Sequence, residues 1–350
     1  MRTLPFLVLC LVVGAAVFAA AIWLGNDYIF FAGYVVLQYV VLSTGWNILG
    51  GYCGYVNFGT AAFFALGAYS TVTIYKLIDS NALPHVIPMP VLMLVGGIVS
   101  GVVGLGMGYL TLRLRGAFFA IATLALAVVL ETLVVNWDYV GGSRGAFIIR
   151  PETIALLGSY VRYLFLLMLI LAIAALALAR LIERSRLGYG FATIRDDELA
   201  AEASGVPTLR LKLIATTISG ALMGMAGAPF PYYIGYLQPD STFGLDYAVN
   251  SIAMPLIGGT TSWVGPLIGA VLLGSLQQII TVTISSAVNL LIVGVLLVAF
   301  VIVAPNGIIG LFHRYVQRKT DDFVGRRRVG LDEPAAAAPT EPGSASGSPS

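Results

Sequence analysis

Charge is what this chain has least of. Lysine and arginine number 19 and aspartate and glutamate 17, together 10% of 350 residues, against roughly 25% in an ordinary soluble domain. So few charges cannot coat a 37.0 kDa globule in water, which excludes a conventional soluble enzyme. The net charge of +2 leaves no continuous basic face, which excludes a nucleic-acid binder. Two histidines, His85 and His313, cannot supply an H-E-x-x-H zinc site, and no metal is expected. The two cysteines, Cys10 and Cys53, lie in apolar segments and offer neither a disulfide framework nor a thiolate site. The only lysines, Lys76, Lys212 and Lys319, follow Tyr75, Leu211 and Arg318, so no G-x-x-x-x-G-K-[ST] phosphate loop exists. If ATP drives this protein, another chain must bind it, and no cofactor is expected here.

What is abundant is apolar: 58% of residues are hydrophobic and the mean hydropathy is +0.91. A helix needs about 20 apolar residues to cross a hydrocarbon core of roughly 30 Å. Candidate spans are Leu4–Leu24, Tyr28–Leu49, Phe58–Ile78, Met89–Leu112, Gly116–Val135, Ser159–Leu181, Leu213–Tyr236, Val264–Thr283 and Ala287–Val303. A shorter piece, Tyr247–Gly259, is interrupted by Pro255, Gly258 and Gly259. Six basic residues fall between Arg180 and Lys212 and six between Arg314 and Arg328, and short basic flanks stay cytoplasmic. Both termini are then cytoplasmic, and the Asn136–Gly158 and Leu237–Asp246 connections lie outside. The expected fold is all-α, a polytopic helical bundle in the lipid bilayer. Parity favours ten crossings, with eight plus a re-entrant segment as the alternative. The first run could be a signal peptide, but its length exceeds the usual 7–15-residue apolar region of one, which favours a retained helix.

The expected organisation is a membrane-spanning domain over 1–312, with a cytoplasmic loop at 182–212. A basic cytoplasmic segment follows at 313–329, and residues 330–350, rich in Ala, Pro, Ser and Gly, read as a disordered tail.

Glycine is plentiful, with 40 residues. Gly96, Ser100, Gly104 and Gly108, and the pairs Gly220/Gly224 and Gly265/Gly269, put small residues on single helix faces where backbones can approach. Two segments, Gly45–Thr60 and Pro255–Pro266, carry helix-breaking glycines or prolines at membrane depth. Backbone groups freed there need protein or a wet cavity, and such breaks point to a substrate path; two short turns between ordinary spans are the plainer alternative. Candidate path residues are Asn47, Asn57, Thr60, Asn250, Ser251 and Thr260. Glu131, the one acid well inside a span, is a further candidate; it equally fits a group reaching the outer interface.

The 182–212 loop favours a short helix from Ala192 to Ser204. Thr193 can cap it with Asp196 three residues on, Ile194, Leu199, Ala200 and Ala203 form an apolar side, and Gly205 and Pro207 stop it. Its acids, Asp196, Asp197, Glu198 and Glu202, suit docking on a soluble protein better than lying on an anionic leaflet.

The loop, continued by KLIATTISGALMGMAGAPFPYYIGYLQPDSTFGLDYAVNSIAMPLIGGTTSWVGPLIGA, resembles the permeases of branched-chain amino acid ABC importers of the LivM type. Gly50–Ser70 is similar to that family's first glycine-rich block, Leu112–Ala127 to its second and Gly141–Gly145 to a third, in the family's order over roughly residues 30–310. Tyr55, Asn57 and Thr60 stand where the family often shows Gln, Ser and His. The resemblance implies a multi-pass permease subunit of the bacterial cytoplasmic membrane, without an enzymatic site of its own. It implies branched-chain or hydrophobic amino acids as cargo, with urea, amides or other small solutes left open. Implied partners are a second homologous permease, two ABC ATPase subunits and an extracytoplasmic solute-binding protein. The ATPases would grip Arg195, Asp196, Asp197, Glu198, Glu202 and Gly205 as a coupling helix. A stand-alone secondary transporter or channel is the alternative, and it would need ionisable groups at the midplane.

Overall fold

In the computed structural model, the described residues are 3–80, 87–111, 113–150, 153–154, 158–283, four positions between 291 and 298, and 307–310. Thirteen α-helices are defined among them: α1 (Thr3–Leu24), α2 (Asp27–Gly50), α3 (Thr60–Asp79), α4 (Met89–Thr111), α5 (Ala117–Val135), α6 (Tyr160–Glu183), α7 (Arg186–Asp196), α8 (Glu198–Ala203), α9 (Thr208–Gly227), α10 (Phe230–Ile234), α11 (Pro239–Thr242), α12 (Leu245–Gly258) and α13 (Val264–Thr283). Two antiparallel pairs, Ala146–Phe147 with Tyr236–Leu237 and Thr153–Ile154 with Gly158–Ser159, are short clasps in the connections.

Eight helices among the described residues are long and apolar enough to cross a membrane, so the chain is an all-α polytopic membrane protein. They match the expected spans, the seventh extended back to Thr208 and continued through α10. Each follows from a predominantly apolar run of 19 to 27 residues. Between α1 and α2, Gly25 takes φ +64 and the Asn26 side chain accepts the Tyr28 N–H at 2.9 Å, capping α2. The short piece forms α12, 14 residues with Pro255 inside, about 21 Å at 1.5 Å per residue. Of the Ala287–Val303 stretch, only Leu291, Gly294, Val295 and Val298 are described, helical and exposed. The 313–329 segment and the 330–350 tail lie outside the described residues.

The small-residue faces are where helices meet. α3, α4 and α9 share one seam. A methyl group at Gly67 would overlap the Gly224 carbonyl, and one at Gly224 would overlap Ser100 and the Gly96 carbonyl. Ser100 Oγ donates to the Phe63 carbonyl at 2.9 Å, tying α4 to α3. A second seam joins α12 to α13, where methyls at Gly258 and Gly269 would overlap the carbonyls of Gly265 and Met254. At such contacts dispersion between backbones replaces the hydrophobic effect, which lipid cannot supply.

The expected Ala192–Ser204 helix is two helices. α7 begins eleven residues of helix at Arg186, capped by Ser185 Oγ, which accepts from Leu187 N and Gly188 N. It ends where Asp197 adopts extended backbone and caps α8 by accepting the Ala200 N–H at 3.0 Å. Thr193 is therefore interior to α7 rather than a cap. The break rotates the apolar side: Ile194 is buried, whereas Leu199, Ala200 and Ala203 are exposed and Ala201 faces inward. Gly205, at φ +82, ends the pair as expected.

Candidate functional site

The two segments flagged as breaks come together. Helix α2 continues through Gly50, so the first irregular stretch is residues 51–59; α12 continues through Gly258, so the second is 259–263. Gly51 lies against the Thr260 carbonyl, at a spacing only glycine permits: a methyl there would sit 2.6 Å from that oxygen. Glu183, at the end of α6, bridges the same two stretches. Its Oε2 accepts the Trp263 N–H at 2.9 Å and the Tyr52 hydroxyl at 3.5 Å. Beside them Arg180 stacks on Phe6, 3.8 Å from the ring centroid, and faces Trp263 at 5.6 Å, a cation–π contact that fixes the start of α1 to this end of the bundle.

Residues 51–59 are held from above as well. Trp46 Nε1 donates to the Asn57 carbonyl at 2.9 Å, and the Asn57 side chain accepts the Gly59 N–H at 2.7 Å. The Phe58 N–H reaches Thr123 Oγ1 on α5 at 3.1 Å. Asn47, Asn57 and Thr60 are all buried around this turn, and Thr260 is half-buried opposite it.

Asn250 and Ser251 occupy a second buried group, on α12. Gln277 Nε2 of α13 donates to Asn250 Oδ1 at 2.8 Å, and Asn250 Nδ2 donates to the Tyr39 hydroxyl of α2 at 3.3 Å. The Ser251 hydroxyl instead turns back on the Tyr247 carbonyl, at 2.6 Å. Aromatic rings close this region: Tyr247 stacks on Phe64 at 4.5 Å and Tyr34 on Tyr233 at 4.3 Å. Glu131 joins neither group. It is half-buried on α5 and makes no hydrogen bond to these residues.

Below the turn lie α7 and α8, whose residues divide. Arg195, Asp196 and Asp197 are exposed, with Arg195 Nη2 3.3 Å from Asp196 Oδ1. Glu198 points inward, because α8 buries Ala201 and places the residue three before it on the same side. Lys212 Nζ of α9 donates to Glu198 Oε1 at 2.6 Å and to the Tyr55 hydroxyl at 3.2 Å, and that hydroxyl donates to Glu198 Oε2. The side chains of Lys212 and Glu198 are 3% and 12% exposed. Desolvation raises the pKa of Glu198, but the hydrogen bonds from Lys212 and Tyr55 and the charges of Lys212 and Arg115 outweigh it, leaving the carboxyl below its ordinary value. Glu202 is tied as well, accepting from Thr208 Oγ1 at 2.8 Å and Arg115 Nη2 at 3.1 Å. Gly54, at φ +80, rests on Arg195: a methyl there would lie 3.0 Å from its Cγ.

Sequence reasoning missed Tyr55, Arg115, Glu183, Lys212, Tyr39 and Gln277. The available signal for Lys212 was a lysine at the mouth of an apolar run, where an unpaired ammonium is costly. Their partners lie far off in sequence, and no spacing reports that.

The family described as branched-chain amino acid transport system permease component matches residues 28–301. The LivM permease protein of the high-affinity branched-chain amino acid transport system of Salmonella typhimurium is 27% identical, over 84% of this chain and 72% of its own length. A probable branched-chain amino acid transport permease protein LivH of Methanocaldococcus jannaschii is 25% identical over 75% and 85%, and the ribose import permease protein RbsC of Haemophilus influenzae 24% over 65% and 70%. No solved structure matches the chain. A bundle of membrane-length helices, two broken segments meeting inside it and a family match over most of its length lead to one assignment: the chain belongs to the family of permease components of branched-chain amino acid transport systems.

Proposed function

We propose that this ABC-importer permease works in a bacterial inner membrane with a second, homologous permease, two ATPase subunits on the cytoplasmic side and an extracytoplasmic solute-binding protein, and carries branched-chain or other hydrophobic amino acids. Both termini and the α7–α8 end are cytoplasmic in this reading, which the basic residues between Arg180 and Lys212 support. The observation that carries it is the outer face of α7 and α8. Tyr189 and Leu199 are 71% and 64% exposed there, beside the exposed Arg195, Asp196 and Asp197, while Phe191, Ile194 and Ala201 hold the underside in the fold. Large apolar side chains left outside the spans, next to charges, suit a protein partner that covers them.

The groups on the proposed path are neutral: Asn47, Asn57, Thr60, Asn250, Ser251 and Thr260, joined by Tyr39 and Gln277. A neutral lining favours a solute of no net charge, as an amino acid zwitterion is. It also disfavours ion-coupled transport by this chain alone, since Glu131 stands apart and Lys212 and Arg180 lie at the α7–α8 end.

Copurification tests the docking face. Wild-type permease should retain its ATPase subunits in detergent, and Asp196→Ala/Leu199→Ser, which leaves the Asp197 cap of α8 in place, should lose them while still inserting; equal retention would refute the assignment. In proteoliposomes, ATP-dependent leucine uptake should be competed by isoleucine and valine and not by ribose, and the opposite preference would overturn the cargo.

A further inference from the structure

We infer that Tyr55, Glu198 and Lys212 form the link that carries movement of α7–α8 into the membrane-embedded turn at residues 51–59, so that Tyr55 and Lys212 are positioning residues for transport. The inference rests on the proposal that α7–α8 receive the ATPases, and it gives Glu198 an inward task rather than a docking one.

The geometry supports transmission at two points. Tyr55 closes a ring with the carboxylate and the ammonium, accepting from Lys212 at 3.2 Å and donating to Glu198. One residue earlier, Gly54 lies in contact with the last turn of α7 at Arg195. A shift of α7–α8 therefore presses on one short stretch of chain through both helices. That stretch cannot yield by itself, because it is tied to α2 through Trp46 and to α5 through Thr123, and Tyr55 packs edge-on against Phe119 of α5 at 5.0 Å. Its other end abuts 259–263 through Gly51 and Thr260 and through Tyr52, Glu183 and Trp263. Displacement at α8 is thereby delivered to both broken segments at once. Lys212 belongs to α9, which shares the α3–α4 seam, so the same pair also couples α8 to the helix that backs the turn.

The test reads coupling rather than stability. The complete importer, with its ATPase subunits and binding protein, is reconstituted in proteoliposomes, and radiolabelled leucine uptake is measured against phosphate released. Tyr55→Phe removes only the shared hydroxyl, and Glu198→Leu/Lys212→Met replaces the ion pair by apolar groups of similar bulk, which buried pairs commonly tolerate. Both are expected to retain the ATPases and to release phosphate within about twofold of wild type, while leucine moved per phosphate falls at least about fivefold. An unchanged ratio would overturn the inference. So would loss of the ATPases from Tyr55→Phe, which would make the triad a support for the docking face rather than a link. Asp196→Ala/Leu199→Ser, two exposed positions that neither cap a helix nor join the triad, run alongside, reports on docking alone: if it keeps the ATPases, the docking proposal fails independently of the ratio.

Discussion

Removing one member of the Lys212–Glu198 pair should cost far more than removing both. Lys212→Met leaves a carboxylate that is 12% exposed in the intact protein. It still has the Tyr55 hydroxyl and, at 3.8 Å, Arg115 Nε, so the loss belongs at the lower end of the range for a broken buried pair, about 3 kcal/mol. Glu198→Leu leaves an ammonium that is 3% exposed and still donates to the neutral Tyr55 hydroxyl; its deeper burial places the loss toward the upper end, about 5 kcal/mol. The double variant leaves no stranded charge and is expected within about 2 kcal/mol of wild type, because an apolar pair of similar volume avoids desolvation. With about 2–4 °C of midpoint per kcal/mol in chains of a few hundred residues, Lys212→Met should lower the thermal midpoint by roughly 6–12 °C and Glu198→Leu by roughly 10–20 °C. Thermal unfolding of the four proteins in one detergent, followed by loss of the monodisperse size-exclusion peak, measures the cycle. Additive effects, or single variants each within about 1 kcal/mol of wild type, would refute the buried pair.

The carboxyl of Glu198, held below its ordinary value of 4.5, contributes stability that is fully present above that pH and is lost as pH falls through its folded value. The midpoint difference between wild type and Glu198→Gln should therefore be constant near neutrality and shrink below about pH 4.5; a difference that persists unchanged in acid would contradict the pairing. In the α3–α4–α9 seam, Gly224→Leu drives a side chain into Ser100 and the Gly96 carbonyl, and should cost more than the usual 1–3 kcal/mol of overpacking. Gly106→Ala in α4, where a methyl meets nothing within 4 Å, should instead stabilise by up to about 1 kcal/mol, and the two variants compared by thermal unfolding separate contact glycines from idle ones.

The long helices were legible because each membrane span is a continuous apolar run of about 20 residues, and few other arrangements satisfy the backbone in lipid. The α7–α8 break was not, for a physical reason. Composition and a Thr193 cap favour a helix only from Ala192, and Gly188 and Gly190 just before it lower helix propensity. In the structure both glycines are contact points: a methyl at Gly188 would overlap the Ile182 carbonyl, and one at Gly190 would lie 2.7 Å from Leu211 Cδ1. Close approach to α6 and α9 therefore outweighs propensity, and Ser185 supplies the cap. The inward turn of Glu198 was hidden for a different reason. Its acidic neighbours suggested one solvated face, whereas Asp197 leaves the helix to cap α8 and rotates Glu198 toward Lys212 and toward Tyr55, 143 residues away.

A buried ion pair is poor evidence for stability, since apolar residues of the same volume would hold α8 as firmly. What an apolar contact cannot do is specify direction. The Tyr55 hydroxyl donates on one side and accepts on the other, so it is satisfied in one orientation of α8 relative to α9, and a slide of about 1 Å carries its bonds beyond useful length. Packed interfaces of this kind switch between discrete arrangements rather than deforming smoothly. Among the described residues, ion pairs gather around the triad: Arg115 to Glu198 and Glu202, and Lys212 to Glu198, all converge on a helix of six residues. So short a helix gains little from its own hydrogen bonds. Its position is set by these charges and by Ala201, and whatever moves it must break or carry them, which is the property a lever needs and a loop tethered only by its ends lacks.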